Sequence, residues 1–463
     1  DALIVPGVYK LSNGVNNPLV KANDALKEIN SFYGMASFSW KNQVFLDLTG
    51  RNDWSSTLPV QNNSYFYPSV TGSVILSDMF NMTEPISYLK YRLSYAQVGS
   101  DAAPYQTSKY YSQSGFPSSA IVPATLFNTN LKPEITSSWE TGFDLRVLNN
   151  RLGLDLTLYA SSTKNQILSL PADVTAGYSS RVINAGEVRN KGAEIVLTGT
   201  PIRSKNLDWN IIVNWSANRN KIIELTDNLE QQTLTTVWIS SLIATVGGTT
   251  SDLWGIKFVR DPEGNIVYQN GVPTKTGARE YIGRTSPDWK AGISNTVRYK
   301  NFRLSATLDG QYKGLIFSGT YSRASWAGTT SNTLPGRDEG TIIGKGVVLD
   351  ANNKYVPNTT PINTQTYYTQ YFNNTPESGT FDASFIKIRE IALSYNFPKT
   401  MNSKWRMENL SLSVFGRNLA VFDKFPMFDP EAGTMNGTVF VPGIEITPMP
   451  YTASYGCNLK IEF

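Results

Sequence analysis

Aromatic side chains with amide and hydroxyl groups beside them are the residues of this chain that best fit a binding site. They concentrate in stretches without strand-like alternation. An aromatic ring stacks on the C–H face of a sugar, while neighbouring amides and hydroxyls bond the sugar hydroxyls. The same residues serve equally well to hold loops together or to contact a partner protein, and we favour that role for any single one of them. The candidates are Trp54, Tyr110, Tyr111, Trp238, Trp254, Trp326, Tyr367, Tyr368, Tyr371 and Phe372.

Polar and ionisable residues form a second set, at every other position of alternating segments. Both charge signs are interspersed, and no like-signed ring of the kind used by a sieving pore is recognisable. Such a surface either bonds to a protein element packed against it or lines a substrate path, and we favour the first interpretation. The set comprises Asp47, Arg51, Glu140, Asp144, Arg146, Asp155, Glu194, Asn210, Asn214, Asn218, Arg298, Arg303, Asp309, Gln311 and Arg417.

Composition excludes several kinds of site. The 463 residues include no histidine and one cysteine, Cys457. Without imidazole, Ser-His-Asp catalysis, Cys-His catalysis and histidine-dependent zinc sites are excluded. We expect no metal or cofactor. The alternative is calcium bound by Asp429 and Glu431 in the loops, but the absence of an EF-hand ladder argues against it. The net charge of +4 is spread along the chain, which argues against a nucleic-acid partner.

Strands must position these residues. Thirteen segments of ten or more residues alternate apolar and polar side chains, which is the period of a strand with one face in an apolar medium. One such strand alone would also fit a soluble sandwich. The segments are 31–41, 43–53, 65–77, 87–99, 136–149, 151–163, 189–201, 207–219, 288–300, 301–314, 383–397, 408–420 and 451–463.

Connections between these strands alternate between short and long. An outer-membrane barrel has tight turns at one end and large loops at the other, whereas a soluble sandwich has no reason to segregate them. The strand lengths also suit a tilted membrane span. We therefore predict an all-β fold, an antiparallel transmembrane β-barrel with extracellular long loops. The predicted loops are 54–64, 100–135, 164–188, 220–287, 315–382 and 421–450.

The strand count predicts an incomplete barrel. Single-chain bacterial barrels have even strand numbers, and thirteen is odd. If the chain ends on the periplasmic side, residues 1–30 are the remnant of an extracellular loop. We expect 31–463 to be the C-terminal part of a larger barrel, and Phe463, an aromatic end to the apolar face, to be recognised during barrel assembly.

Five stretches together carry a family resemblance: FDASFIKIREIALSYNFP (381–398), LSLSVFGRNLAVFDKFPMFDPE (410–431), LKYRLSYAQVGSD (89–101), NTNLKPEITSSWETGFDLRVLNNRLGLDLTLY (128–159) and NAGEVRNKGAEI (184–195). In their order along the chain, these stretches resemble the SusC/RagA-like TonB-dependent outer-membrane transporters of Bacteroidetes. The resemblance implies a 22-stranded barrel in outer-membrane lipid, filled by an N-terminal plug that follows a TonB box. It also implies a SusD-like surface lipoprotein as partner and energy-dependent import of glycans or oligopeptides.

Three functional hypotheses remain open. The first is a TonB-driven importer that acts with a SusD-like lipoprotein. The second is a passive porin or an adhesin that displays the loops, and an upstream plug and TonB box would separate these two. The third is a barrel enzyme with a carboxylate-only site in the loops. The absence of histidine disfavours it, so we expect no enzyme.

Overall fold

The computed structural model describes residues 3–15, 24–113, 118–171, 175, 177–226, 229–404, 406–437 and 439–463. Thirteen strands form one antiparallel sheet in which each strand pairs with the next along the chain. All thirteen predicted strands are therefore present. They are β1 (Ile29–Trp40), β2 (Val44–Ser55), β3 (Ser64–Ile75), β4 (Ile86–Ser100), β5 (Glu134–Val147), β6 (Leu152–Pro171), β7 (Ser180–Arg203), β8 (Leu207–Glu224), β9 (Trp289–Tyr299), β10 (Phe302–Tyr312), β11 (Phe385–Asn396), β12 (Asn409–Asp423) and β13 (Ser454–Glu462).

Short elements occupy the connections. The helices are α1 (Leu76–Met79), α2 (Gly319–Trp326), α3 (Thr364–Phe372) and α4 (Lys399–Lys404), with 3₁₀ turns at Leu11–Asn13, Ser331–Thr333 and Pro376–Gly379. The short strands are Ser112–Gln113, Ala120–Ile121, Thr125–Leu126, Gln231–Val237, Ser240–Thr245, Asp252–Gly255, Val267–Gln269, Val272–Pro273, Glu280–Arg284, Leu315–Ser318, Thr341–Ile343, Val347–Leu349, Tyr355–Pro357, Pro361–Asn363, Thr380–Asp382, Gly433–Asn436, Val439–Pro442 and Ile444–Glu445. Within the described ranges, no helix has the length and apolar character needed to cross a membrane.

One face of the sheet is apolar from strand to strand. Side chains of cross-strand partners lie on the same side of a sheet. Leu154 pairs with Leu145 on one side and Leu197 on the other, and the row continues through Val213 to Ile293. Much of this face is exposed in the chain, as a lipid-facing surface must be. The opposite face carries the polar partners.

The prediction of a loop over 164–188 is wrong, because most of this stretch is strand. β6 and β7 continue as a long hairpin in which Leu168 pairs with Ile183, and only 172–179 connects them. Leu170 and Val182 are buried here. Both sides of this hairpin extension have contacts, so its sequence lacks the strict alternation that marks the other strands.

The strict alternation of short and long connections is consequently not kept. The connections 56–63 and 172–179 are shorter than 76–85 and 397–408, which contain the small helices α1 and α4.

The last strand begins later than predicted. β13 starts at Ser454 rather than at 451. Tyr451, expected on the apolar face, instead lies under the Lys387 ammonium, 5.1 Å from the ring centre. Lys387 belongs to the polar side, so Tyr451 faces that side as well. In the described part of the chain β1 and β13 do not pair with each other, and every residue of β1 is exposed.

Three long connections, 225–288, 313–384 and 424–453, pack together at one end of the sheet, and we call them the loop body. Phe317 of the second connection pairs in parallel with Ile444 of the third. The three connections thus share one apolar core. Its buried members are Leu242 and Leu253 of the first connection, Phe317 of the second, and Val441 and Ile444 of the third.

Candidate functional site

The polar residues predicted to face the interior all lie on one side of the sheet, opposite the apolar face. For example, Asp144 lies directly across from Asp155 on the neighbouring strand, and Arg298 lies directly across from Arg303, so each pair shares one side of the sheet. Their role, against a plug or along a substrate path, stays a prediction. The residues are Asp47, Arg51, Glu140, Asp144, Arg146, Asp155, Glu194, Asn210, Asn214, Asn218, Arg298, Arg303, Asp309, Gln311 and Arg417.

Several of these charges pair within the face. Arg92 donates hydrogen bonds to both carboxylate oxygens of Asp155, at 2.5 and 3.2 Å. Arg417 donates to Glu390 at 2.6 Å. Because partly exposed ion pairs contribute little to stability, their main effect is to fix donors and acceptors in place along the wall.

A polar trough crosses β7 to β11 on this face. One part is a cavity of about 440 Å³ and the other of about 320 Å³, and Ser216 and Lys290 line both. Since side chains from successive strands enclose it, the polar face is concave here. The first part is lined by Glu194, Asn214, Asp309, Gln311 and Glu431. The second is lined by Asn190, Asn218, Asn220, Thr250, Ser251 and Ser286.

Glu431 reaches the trough because an ionic cluster anchors its loop to the wall. Lys387 is fully buried, and its Nζ donates to Asp429 at 2.6 Å and to Glu431 at 2.5 Å. Arg389 donates to Asp309 at 2.6 Å and also to Glu431. A buried lysine requires such neutralising partners. Asp429 and Glu431, for which the sequence also suggested calcium, are thus engaged by protein cations.

A β-bulge brings these cations together. The pairing of β10 with β11 slips between Thr307 and Leu308, so that Arg389 is the extra residue. Both Lys387 and Arg389 thereby reach the polar side, while Glu390 bonds Arg417 there. Neither cation was among the predicted site residues. The sequence did contain one signal for Lys387. It stands two residues after Phe385, on the same side of the predicted strand and close to the predicted loop.

Electrostatics of the cluster favour the charged form of Glu431. Burial by itself raises the pKa of this carboxyl. Hydrogen bonds from Lys387 and Arg389 outweigh that effect, and the pKa of Glu431 lies below its usual range.

The α3 aromatics lie inside the loop body. Tyr367 and Tyr368 are each 9% exposed and Phe372 is 5% exposed, which leaves them little surface for a ligand. Tyr371 packs on Phe258 with ring centres 4.6 Å apart. Burial raises the pKa of Tyr371 to about 12. These residues form a core that holds the loop body together.

Of two further tryptophans predicted as loop contacts, Trp54 lies in a wall strand and Trp254 lies in the loop body. Trp54 lies in β2 on the apolar face, opposite Asn30 and Ser64, so its assignment to a loop is wrong. Trp254 packs edge-on against Tyr281, and its Nε1 is enclosed without a hydrogen-bond partner among the described residues.

Four predicted contact residues remain exposed. Trp238 stands at a hairpin tip with φ of 52°, and Trp326 ends α2. Tyr110 and Tyr111 lie in the connection after β4, where the Lys109 ammonium is 5.2 Å from the Tyr111 ring centre. Tyr110 and Tyr111 thus lie in a different connection from Trp238 and Trp326.

Phe463 follows β13 and is 82% exposed. It stands two positions after Ile461, which pairs with Leu410 on the apolar face. Its role in assembly stays a prediction.

The chemistry available to this arrangement is hydrogen bonding and charge pairing. Among the residues that the structure describes, no group of three or more histidine, cysteine, aspartate or glutamate side chains could hold a metal ion. The trough offers amides, hydroxyls, one lysine and carboxylates, a set that suits a hydroxyl-rich or peptide-like surface.

A known protein family matches most of the chain. Residues 7–419 match the family model described as TonB dependent receptor-like, beta-barrel. TonB-dependent receptor P3 of Formosa agariphila is 24% identical over 450 residues, which cover 88% of this chain and 42% of that protein. TonB-dependent receptor SusC of Bacteroides thetaiotaomicron is 24% identical over 473 residues, which cover 94% and 43% respectively. The chain thus spans less than half the length of these curated relatives.

Solved structures share the fold. A structure of the RagAB peptide transporter matches 99% of this chain and 50% of its own, with a TM-score of 0.77 at 19% identity. The RagAB peptide importer in the open-open state matches 98% of this chain and 49% of its own, also with a TM-score of 0.77 at 19% identity.

Proposed function

Because this chain belongs to the TonB-dependent receptor-like β-barrel family, we propose that it forms part of the wall and the extracellular loops of an active importer. It is an integral outer-membrane protein. The strands β1 to β13 supply part of the barrel wall, and the long connections between them face the cell exterior. Energy comes through TonB, by way of an N-terminal plug that packs on the polar face.

The concave polar trough carries this proposal. Its lining combines Asn190, Asn218 and Asn220 with hydroxyl groups and Lys290. Asn190 accepts hydrogen bonds from the other two asparagines at 3.2 and 3.0 Å, so the amides are held in fixed orientations. A plug seated here would find bonding partners, and a passing substrate would find them once the plug moves.

Glycans are the proposed substrates, with oligopeptides as the alternative. Oriented amides and hydroxyls match the many hydroxyls of a sugar chain. The likeness to the RagAB peptide transporter supports the alternative.

A SusD-like lipoprotein is the proposed partner, seated on the loop body. The hairpin of Gly433–Asn436 and Val439–Pro442 presents apolar side chains to solvent: Met435 is 59% exposed, Val439 62% and Phe440 55%. Apolar patches of this kind mark protein contact surfaces. We expect Phe440→Glu to abolish copurification of the lipoprotein. Leu334→Glu, at a position that is 58% exposed elsewhere on the loop body, is the matched control.

Growth of a deletion strain on defined glycans and peptides tests the function. Loss of growth on glycans, restored by the intact gene but not in a strain without TonB, is the expected result. Uptake that persists without TonB would favour a passive porin instead, and unchanged growth with lost surface attachment would favour an adhesin. Growth lost on peptides alone would assign the peptide alternative.

A further inference from the structure

A second cavity, of about 700 Å³, lies in the loop body between the end of α2 and the start of α3. It shares no lining residue with the polar trough. The lining side chains that matter here are Trp326, Arg337, Asn363, Gln365, Tyr368 and Thr369.

Arg337 is an exposed residue that lines this cavity, and three hydrogen bonds orient its guanidinium. Its Nε donates to the Thr333 carbonyl at 2.8 Å, and its Nη2 donates to Thr333 Oγ1 at 2.7 Å and to the Gly328 carbonyl. Thr333 is fully buried, so the anchor cannot move freely. All three acceptors are neutral. In the described ranges Nη1 has no partner, and no carboxylate pairs with Arg337, although Asp338 and Glu339 follow it in sequence.

The turn at Gly328 permits this anchoring. Gly328 has φ of +71°, and a Cβ there would lie 3.0 Å from Nη2 of Arg337. Glycine suits this position because it adopts the positive φ without strain and leaves room for the guanidinium. The result is an arginine prepared for an external anion, because its planar fork is oriented and one nitrogen still has donors to give.

Aromatic rings flank the arginine. Trp326 is 37% exposed, with the Arg323 guanidinium 4.5 Å from its ring centre. Tyr368 is buried against the cavity, and its hydroxyl donates to the Pro335 carbonyl at 3.2 Å. The cavity thus offers a partly open indole next to an unpaired cationic group.

Amide and hydroxyl groups complete the lining. Asn363 caps α3 by accepting from the Thr366 N–H at 3.1 Å, and Gln365 and Thr369 line the same cavity. Polar groups around an aromatic face suit a sugar ring more than an apolar peptide side chain.

We propose that this cavity binds a uronic acid unit of a glycan, with the sugar carboxylate on Nη1 of Arg337 and the ring against Trp326. The proposal rests on the proposed function and deepens it, since it assigns acidic glycans as the substrate class. The loop body then selects these glycans before they reach the trough.

Calorimetric titration of the complete outer-membrane protein that carries this chain tests the proposal. The ligands are an oligogalacturonate, the same oligomer with its carboxyls reduced, and a peptide of similar length. We expect Arg337→Gln to weaken binding of the acidic oligomer roughly 10- to 100-fold and to leave the neutral oligomer unchanged. Trp326→Ala should weaken both oligomers.

Lys345→Gln is the matched control. Lys345 is an exposed cation of the same connection, has no ion pair among the described residues, and does not line the cavity. If Lys345→Gln and Arg337→Gln weaken binding of the acidic oligomer equally, general charge attraction explains the binding and the proposed site is overturned. Wild-type affinity in Arg337→Gln, or no binding of the acidic oligomer by the wild type, would also overturn it. Arg337-dependent binding of the peptide in preference to the uronate would overturn the glycan assignment.

Uptake measured in parallel separates this proposal from the importer itself. If glycan uptake is intact while Arg337→Gln binds like the wild type, only the cavity assignment fails. If TonB-dependent uptake is absent for every glycan and peptide, the importer proposal fails.

Discussion

The Nζ of Lys387 lies 2.6 Å from Oδ1 of Asp429 and joins strand β11 to the last loop of the chain. The lysine side chain has no exposed surface, whereas Asp429 keeps 13% of its own. Such a contact holds only while both charges are present, because either partner alone would be a charge removed from water. The attachment of the last loop to the wall at this point therefore depends on ionisation.

Removal of the buried cation should detach the last loop. We expect Lys387→Met to lower the free energy of local unfolding of 424–453 by about 2–4 kcal/mol, since Asp429 loses its cation and Glu431 keeps only Arg389. Hydrogen exchange of the loop amides measures this quantity. Lys424→Met, at an exposed lysine of the same loop without an ion pair among the described residues, is the control. Equal protection in both variants would contradict the anchoring role.

Acid should release the same loop. The pKa of Glu431 is lower in the folded protein than its ordinary value of 4.5. The unfolded state thus binds more protons in this range, and the stabilisation is present above about pH 4.5 and lost as the pH falls through the folded pKa. We expect protease cleavage within 424–453 to rise below that pH, and to depend less on pH in Glu431→Gln. An identical pH profile in the variant would exclude Glu431 as the group responsible.

Alkali should loosen the loop body around α3. Burial raises the pKa of Tyr371 from 10.0 to about 12. The folded state therefore holds its proton longer than the unfolded state, and this stabilisation is fully present below pH 10.0 and lost by about pH 12. Ultraviolet absorbance of phenolate should show one late-ionising fraction that decreases in Tyr371→Phe. A wild-type titration without a late fraction would count against the buried tyrosine cluster.

The aromatic core should be required for loop structure rather than for binding alone. Phe372→Ala removes a ring that is 5% exposed and should cost the loop body about 3–5 kcal/mol. Tyr110→Ala, at a ring that is 53% exposed, should change the stability of the loop body by less than about 0.5 kcal/mol. Near-ultraviolet circular dichroism with chemical denaturation compares the two. Similar losses would show that α3 is not the structural centre of the loop body.

Deletion of Phe463 should impair barrel assembly. This terminal aromatic is 82% exposed and continues the apolar face of β13. We expect less folded, heat-modifiable protein in the outer membrane, with Phe463→Tyr restoring most of it. Unchanged levels after deletion would argue against a role in recognition.

The wall could be predicted because the environment differs on its two sides. Trp209, Ile211 and Val213 alternate with Asn210 and Asn214, and period-two patterns of this kind located all thirteen strands and the shared side of the polar residues. Where both sides of a strand face a similar environment, apolar and polar residues no longer alternate and the pattern does not reveal the strand. Leu168 and Leu170 lie in such a region, and their part of β6 was consequently assigned to a loop.

The loops could not be predicted from type and spacing. Tyr367 and Tyr368 look like a binding surface in sequence, yet they are buried because connections far apart in the chain pack on them. The charge network of Lys387 and Arg389 depends on a bulge, which moves one residue out of register without a local signature. Tertiary contacts of this kind are what single-sequence reasoning lacks.

The shared core of the loop body restricts how its sequence can change. Phe317 packs in one cluster with Leu253 and Ile444, so each of three distant stretches supplies part of the same interior. A change of volume in one stretch has to be matched in the other two. These stretches should therefore evolve together as one inherited module, and transplanting specificity between relatives would require all three to be exchanged at once.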